Sequence, residues 1–158
     1  MTPGLANRLA IPNATRVCCN FPETKKYLPE GKAVLTGSPI RKELLTGNKE
    51  NARKLCGFHN EKPVLFIIGG SSGSKFINDT IRGLLPDLLK SFQIIHMCGR
   101  GNLEESLRKT NGYIQFEYIG TGLNDIFALA DLVISRAGAN SICELKALHK
   151  PNILIPLS

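Results

Sequence analysis

The sequence predicts an α/β domain built as a doubly wound parallel sheet, and three observations predict it. Short apolar runs alternate with amphipathic segments, the runs are apolar nearly throughout instead of at every second residue, and Gly, Pro or Asn bounds them. Strands of that kind are buried on both faces, and parallel strands need crossover helices to cover those faces.

Ala33 to Thr36 is the first run, closed by the turn-forming Thr36-Gly37-Ser38-Pro39. The segment from there to His59 is helix-like and carries Arg41, Lys42, Glu43, Lys49, Glu50, Arg53 and Lys54. Val64 to Ile68 is the clearest strand, an unbroken apolar run. After it Phe76, Ile77, Thr80, Ile81, Leu84, Leu85, Leu88 and Leu89 recur three and four residues apart, which predicts one long helix. Phe92 to Met97, Tyr113 to Tyr118, Asp131 to Ser135 and Asn152 to Pro156 complete the strands. A short helix is expected around Ile126, Phe127, Leu129 and Ala130, and another over Ser141 to Leu145. The residues before Thr36 are too few for a core of their own, since one strand-helix unit takes about 30 residues, and are expected to belong to a neighbouring domain.

Composition narrows the function. A chain of 158 residues, 42% hydrophobic and 21% charged, has the balance of a globular domain. No stretch reaches the roughly 18 apolar residues of a membrane span, and Met1 to Ala10 lacks the order of a secretory signal, so spanning and secretion are both disfavoured. The cysteines Cys18, Cys19, Cys56, Cys98 and Cys143 form no C-x-x-C pair, which argues against a zinc site or a disulfide framework and for a reducing cytosol. A formal charge of +7 favours an anionic partner. Nucleic acid is not that partner, because aromatics make up 6% and no basic run interleaves with them. His59, His96 and His149 show no spacing for a metal or a triad, and no role is assigned to them.

Two loops carry the chemistry. Gly69-Gly70-Ser71-Ser72-Gly73-Ser74 joins the Val64 strand to the long helix. Glycines permit close backbone approach, and the helix start offers free N–H groups to a phosphate. The loop fits neither the P-loop nor the G-x-G-x-x-G pattern, and a glycine turn that only packs a helix on a strand remains open. The second loop is Arg136-Ala137-Gly138-Ala139-Asn140, before Ser141-Ile142-Cys143-Glu144. Both loops follow strands, so in a parallel sheet they face one crevice. Glu144 reads either as a carboxylate for a ribose diol or as the far end of a Ser141-x-x-Glu144 capping box. Arg41 and Arg136 read as anion contacts or as solvated charges, and Cys143 as a packing residue or a reactive thiol.

Thr36-Gly37-Ser38-Pro39-Ile40-Arg41, the Gly69 loop, the segment Ser135 to Glu144 and the upstream Pro3-Gly4-Leu5-Ala6-Asn7-Arg8 resemble, in order and spacing, the motifs of the MurG glycosyltransferases. The resemblance implies the C-terminal half of a GT-B fold, which pairs two Rossmann-like domains. Residues 1–35 would end the N-terminal acceptor domain, and 36–158 would form the donor domain, cut short at its C-terminus. It implies transfer of N-acetylglucosamine from UDP-GlcNAc to lipid I, giving lipid II, by an inverting, metal-independent displacement without a cofactor; the alternatives are a GT-B glycosyltransferase of other specificity and a non-catalytic UDP-sugar-binding module. Ser71 would contact the diphosphate beside Gly69, Gly70, Ser72 and Gly73, and Glu144 would hold the ribose. Ala139, Asn140 and Ser141 would meet the phosphate and sugar, with Ile142 and Cys143 in the same stretch. The Ile119 backbone would meet uracil, and Arg41 matches a donor-site arginine. Lipid I would bind through an N-terminal half, at the cytoplasmic surface of the bacterial membrane. No residue of the chain matches the family's proposed base, so transfer by these residues alone is not expected.

Overall fold

A computed structural model describes residues 3–70 and 72–156. The chain divides into two compact units, Met1–Pro39 and Ile40–Ser158. The first contains α1 (Leu5–Ala10) and a parallel pair, β1 (Val17–Cys19) and β2 (Ala33–Leu35), in the register Val17↔Ala33 to Cys19↔Leu35. The apolar pattern missed β1, because three residues are too few to show a period. Lys32 Nζ donates to the carbonyls of Pro12 (2.8 Å) and Ile11 (3.3 Å) and ties the segment between the strands to the end of the α1 region.

The second unit is the predicted parallel sheet. Its strands are β3 (Val64–Ile68), β4 (Gln93–Met97), β5 (Tyr113–Phe116), β6 (Leu132–Arg136) and β7 (Asn152–Ile155), in the spatial order β5-β4-β3-β6-β7. Every pairing is parallel. The helices are α2 (Lys49–Cys56), α3 (Lys75–Ser91), α4 (Leu123–Leu129) and α5 (Ala139–Ala147). Alternate residues of β3 feed two cores. Leu65 and Ile67 pack with Ile77, Ile81 and Leu85 of α3, and Val64 and Phe66 with Ala52 of α2, Ile126 and Phe127 of α4 and Leu145 of α5. That is why β3 reads as continuously apolar: each face of the strand has its own helix layer. The Phe66 and Phe127 rings meet edge to face at 5.3 Å.

The helix-like segment before His59 is corrected: it breaks into a 3-10 turn, Lys42–Leu45, and α2. The break falls at Gly47, where a side chain would strike the Asn124 carbonyl at the start of α4. Asn48 then caps α2, accepting from Glu50 N–H at 2.8 Å, while its own N–H donates to Asp125 Oδ1 at 2.7 Å. Asp131 lies just before β6 instead of in it, and its Oδ2 accepts from Val64 N–H at 2.8 Å, pinning the start of β6 to the start of β3. Lys150 Nζ donates to the carbonyls of Ala128 (3.2 Å) and Ala130 (2.7 Å), closing the end of α4. Among the described residues no helix is long and apolar enough to cross a membrane.

Candidate functional site

Because all five strands run the same way, the loops after them leave one edge of the sheet. The chain steps outward from β3 to β4 and β5, then returns across the sheet to β6 on the other side of β3. The gap between β3 and β6 is therefore the point where the winding reverses, which is where open α/β sheets bind ligands. Ile68 pairs with Ser135, so the two glycine-containing loops start side by side.

The first loop turns at Gly70, whose φ is +91°, and Gly73 N–H donates back to the Gly70 carbonyl at 3.1 Å. Nothing lies within 4 Å of where a Gly70 side chain would begin, so that position is open. Gly73 is the opposite: with φ at +77°, a Cβ there would sit 1.9 Å from the Cys98 carbonyl oxygen. The packing explanation for the glycine is correct here and at Gly69, where a Cβ would meet Ser74 N at 2.8 Å, and at Gly70 it is not. Ser74 caps α3, its Oγ accepting from Ile77 N–H at 3.5 Å. Ser72 is exposed at the tip of the loop, and Ser71 lies outside the described residues.

The second loop corrects an expectation. α5 begins at Ala139, two residues before Ser141, with Gly138 at the cap and no side chain bonded there. Ser141 is thus the third helical residue, and the Ser141–Glu144 capping box does not form. The first intrahelical bond runs from Ile142 N–H to the Gly138 carbonyl at 2.9 Å, and no acidic side chain sits in the first turn. The start of α5, at the end of β6, therefore carries the positive pole of the helix with no acidic side chain of its own to offset it.

Freed from a capping role, Glu144 sits in the second turn and pairs with Arg41. The Nε and Nη2 groups of Arg41 both donate to Glu144 Oε1, at 3.3 and 3.1 Å. One carboxylate oxygen thus takes both bonds and the other takes none from Arg41. The Glu144 side chain is 20% exposed and that of Arg41 56%, so the acid is recessed and the base lies over it. Ile142 and Cys143 are half-buried beside it. Ile119 follows the edge strand β5, two strands from β3, and its side chain is in the core that also holds Leu145. Any contact it makes with a ligand falls to its main chain.

Sequence reasoning missed the residues under the first loop. Asn78 and His96 are buried and hydrogen-bonded to each other at 3.0 Å, and His96 also meets the Tyr113 hydroxyl at 2.9 Å. Burial, with the Arg82 charge adding to it, pulls the His96 pKa down to about 4. The signal was a polar residue on an apolar helix face and a histidine inside an apolar strand. Burial also raises the thiols of Cys56, to about 11, and of Cys98, so neither is a thiolate.

Residues 64–158 match the family model of the glycosyltransferase family 28 C-terminal domain. Over all 158 residues the chain is 64% identical to the UDP-N-acetylglucosamine--N-acetylmuramyl-(pentapeptide) pyrophosphoryl-undecaprenol N-acetylglucosamine transferase of Lachnoclostridium phytofermentans, covering 44% of it. It is 61% identical to the protein of that name from Lachnospira eligens, covering 45%. The chain thus spans less than half the length of these curated relatives. The crystal structure of Acinetobacter baumannii MurG superposes with a TM-score of 0.67 at 26% identity, over 99% of this chain and 43% of that one. A glycosyltransferase of kitacinnamycin, 12% identical, shares the fold at a TM-score of 0.64, over 92% of this chain and 37% of that one. The doubly wound sheet is accordingly the Rossmann-like C-terminal domain of a GT-B glycosyltransferase, and the chain belongs to the glycosyltransferase family 28 C-terminal domains.

Proposed function

We propose that the Ile40–Ser158 unit holds UDP-GlcNAc, and that the protein transfers its N-acetylglucosamine to lipid I, giving lipid II in peptidoglycan synthesis. The observation that carries this reading is the side-by-side placement of two helix starts at the β3–β6 reversal, with the recessed Glu144 carboxylate one turn behind the second. The names of the relatives at 61% and 64% identity supply the donor and the acceptor. The diphosphate lies across the Gly69–Gly73 loop and the first turn of α5, where Ser71 and the N–H groups of Ala139 to Ser141 donate to it. Glu144 accepts from the ribose hydroxyls, and the main chain at Ile119 meets uracil.

In the reaction the acceptor hydroxyl attacks the anomeric carbon while UDP leaves, and negative charge grows on the diphosphate. Donors fixed before the reaction stabilise that charge most where it is largest, in the transition state. Lipid I binds through the acceptor half of such enzymes, at the cytoplasmic face of the membrane. Residues up to Leu35 belong to the end of that half.

Calorimetric titration with UDP-GlcNAc, UDP-glucose and ADP tests the site. The expected result is uridine-selective binding, weakened about tenfold or more by Ser71→Ala and by Glu144→Ala, the loss of one hydrogen bond to a charged group. Folded protein that binds ADP as well as UDP-GlcNAc would end the reading.

A further inference from the structure

A line of buried polar side chains lies beneath the glycine loop, and nothing in the donor reading uses it. The Tyr113 hydroxyl meets His96 Nδ1 at 2.9 Å, and since Asn78 Oδ1 on the other side of the ring can only accept, a neutral imidazole leaves Nδ1 to accept from the phenol. With that nitrogen accepting, His96 carries its proton on Nε2 and donates to Asn78 Oδ1 at 3.0 Å. The Asn78 amide in turn donates through Nδ2 to the Cys98 carbonyl at 2.9 Å. The chain of donors runs one way, from phenol to imidazole to amide to carbonyl. Its direction requires a neutral imidazole, which burial provides.

Three buried polar side chains cost free energy that an apolar trio would not, so their value lies in where the line ends. It ends on the loop. The Cys98 oxygen is the atom a Gly73 side chain would strike at 1.9 Å, and a Gly99 side chain would begin 2.3 Å from the Gly73 nitrogen. The last glycine of the phosphate loop therefore rests directly on the peptide that Asn78 holds. Asn78 is in the first turn of α3, its N–H bonded to the Ser74 carbonyl at 2.8 Å. A second brace starts one turn later. Arg82 Nη2 donates to Gln115 Oε1 at 3.0 Å and to the Asn102 carbonyl, and Asn102 Nδ2 reaches the Ser72 carbonyl at 3.5 Å.

We propose that Asn78 and His96 are positioning residues for the diphosphate: acting through the Cys98 carbonyl, they hold the Gly70–Gly73 loop and the start of α3 in the geometry that receives it. They touch no part of the donor. The proposal rests on the donor-site reading above and adds to it which residues set the diphosphate share of affinity.

NMR titrations of the chain with uridine and with UDP separate the two. In the unaltered protein UDP binds more tightly than uridine. Asn78→Ala is expected to lower UDP affinity about tenfold or more and uridine affinity less than about twofold, by analogy with the loss when a hydrogen bond behind a metal ligand is removed. Tyr113→Phe keeps the ring and removes only the far donor, so a smaller loss in the same ratio is expected, and it decides the matter should Asn78→Ala not fold. Leu88→Ala, which thins the same α3 core but removes no hydrogen bond of this line, is expected to lower the unfolding temperature and leave the ratio alone. Ratios unchanged in Asn78→Ala, or in Tyr113→Phe where that variant decides, overturn the proposal and spare the donor site. An unaltered protein that binds UDP no better than uridine overturns the donor-site reading, and the proposal falls with it.

Discussion

Arg41 and Glu144 show what a single side chain does beyond its charge. Their ion pair is largely exposed and stabilises the fold by no more than about 1 kcal/mol. Its consequence is orientation: Arg41 takes up Oε1 alone, so in the proposed donor site Oε2 is the oxygen that would accept from the ribose. Arg41→Ala is therefore expected to leave the unfolding temperature within a degree or two and to reduce the discrimination between UDP and 2′-deoxy-UDP several-fold. Equal losses for both nucleotides would place Arg41 on the phosphates instead. His96 makes a different kind of prediction. Its pKa falls from 6.5 to about 4 on folding, so the unfolded chain takes up the proton first as pH drops. Stability is full above about pH 6.5, is lost between there and about pH 4, and then no longer changes through this group. The loss is about 2 kcal/mol by pH 5 and about 3 kcal/mol in all. Urea midpoints between pH 7.5 and 5 check it, and His96→Gln should flatten that limb.

At the scale of elements, the two glycine loops are built to different specifications. The first is a turn locked against its neighbour, and the second is a helix start with no side-chain cap at Gly138. Gly73→Ala places a methyl group on the Cys98 carbonyl in a left-handed conformation, so a loss of about 2 kcal/mol or more is expected, together with weakened UDP binding. Gly70→Ala meets open space and carries only the left-handed cost of about 1 kcal/mol. Thermal unfolding of the two variants separates close approach from backbone conformation as the reason for each glycine. Equal costs would mean that the loop shifts away from Cys98 with ease. The start of α5 illustrates why caps are hard to read along a chain. Ser141 and Glu144 have capping-box spacing, but Ile142 N–H finds the Gly138 carbonyl and the helix begins earlier.

For the whole molecule, the chain spans less than half the length of its curated relatives, and residues 64–158 match the family 28 C-terminal domain. The proposed donor site predicts that the 158-residue chain binds UDP-GlcNAc, and a calorimetric titration of folded protein that shows no binding would refute it. The parallel sheet, α3 and the two loops at strand ends were legible in the residues themselves, though the Ala33 run pairs with β1 in the first unit instead of joining the five strands. A strand covered on both faces must be apolar throughout, and a helix covered on one must repeat at three and four, so burial writes itself into Val64–Ile68 and Phe76–Leu89. The same residues did not reveal the strand order that sets β3 beside β6, the Arg41–Glu144 pair separated by 103 positions, or the line from Tyr113 through His96 and Asn78 to Cys98. Each of these joins groups remote in sequence, whose pairing carries no period and costs nothing to local propensity. Such contacts exist only once the sheet has brought its strand ends together, and so the tertiary structure alone decided them.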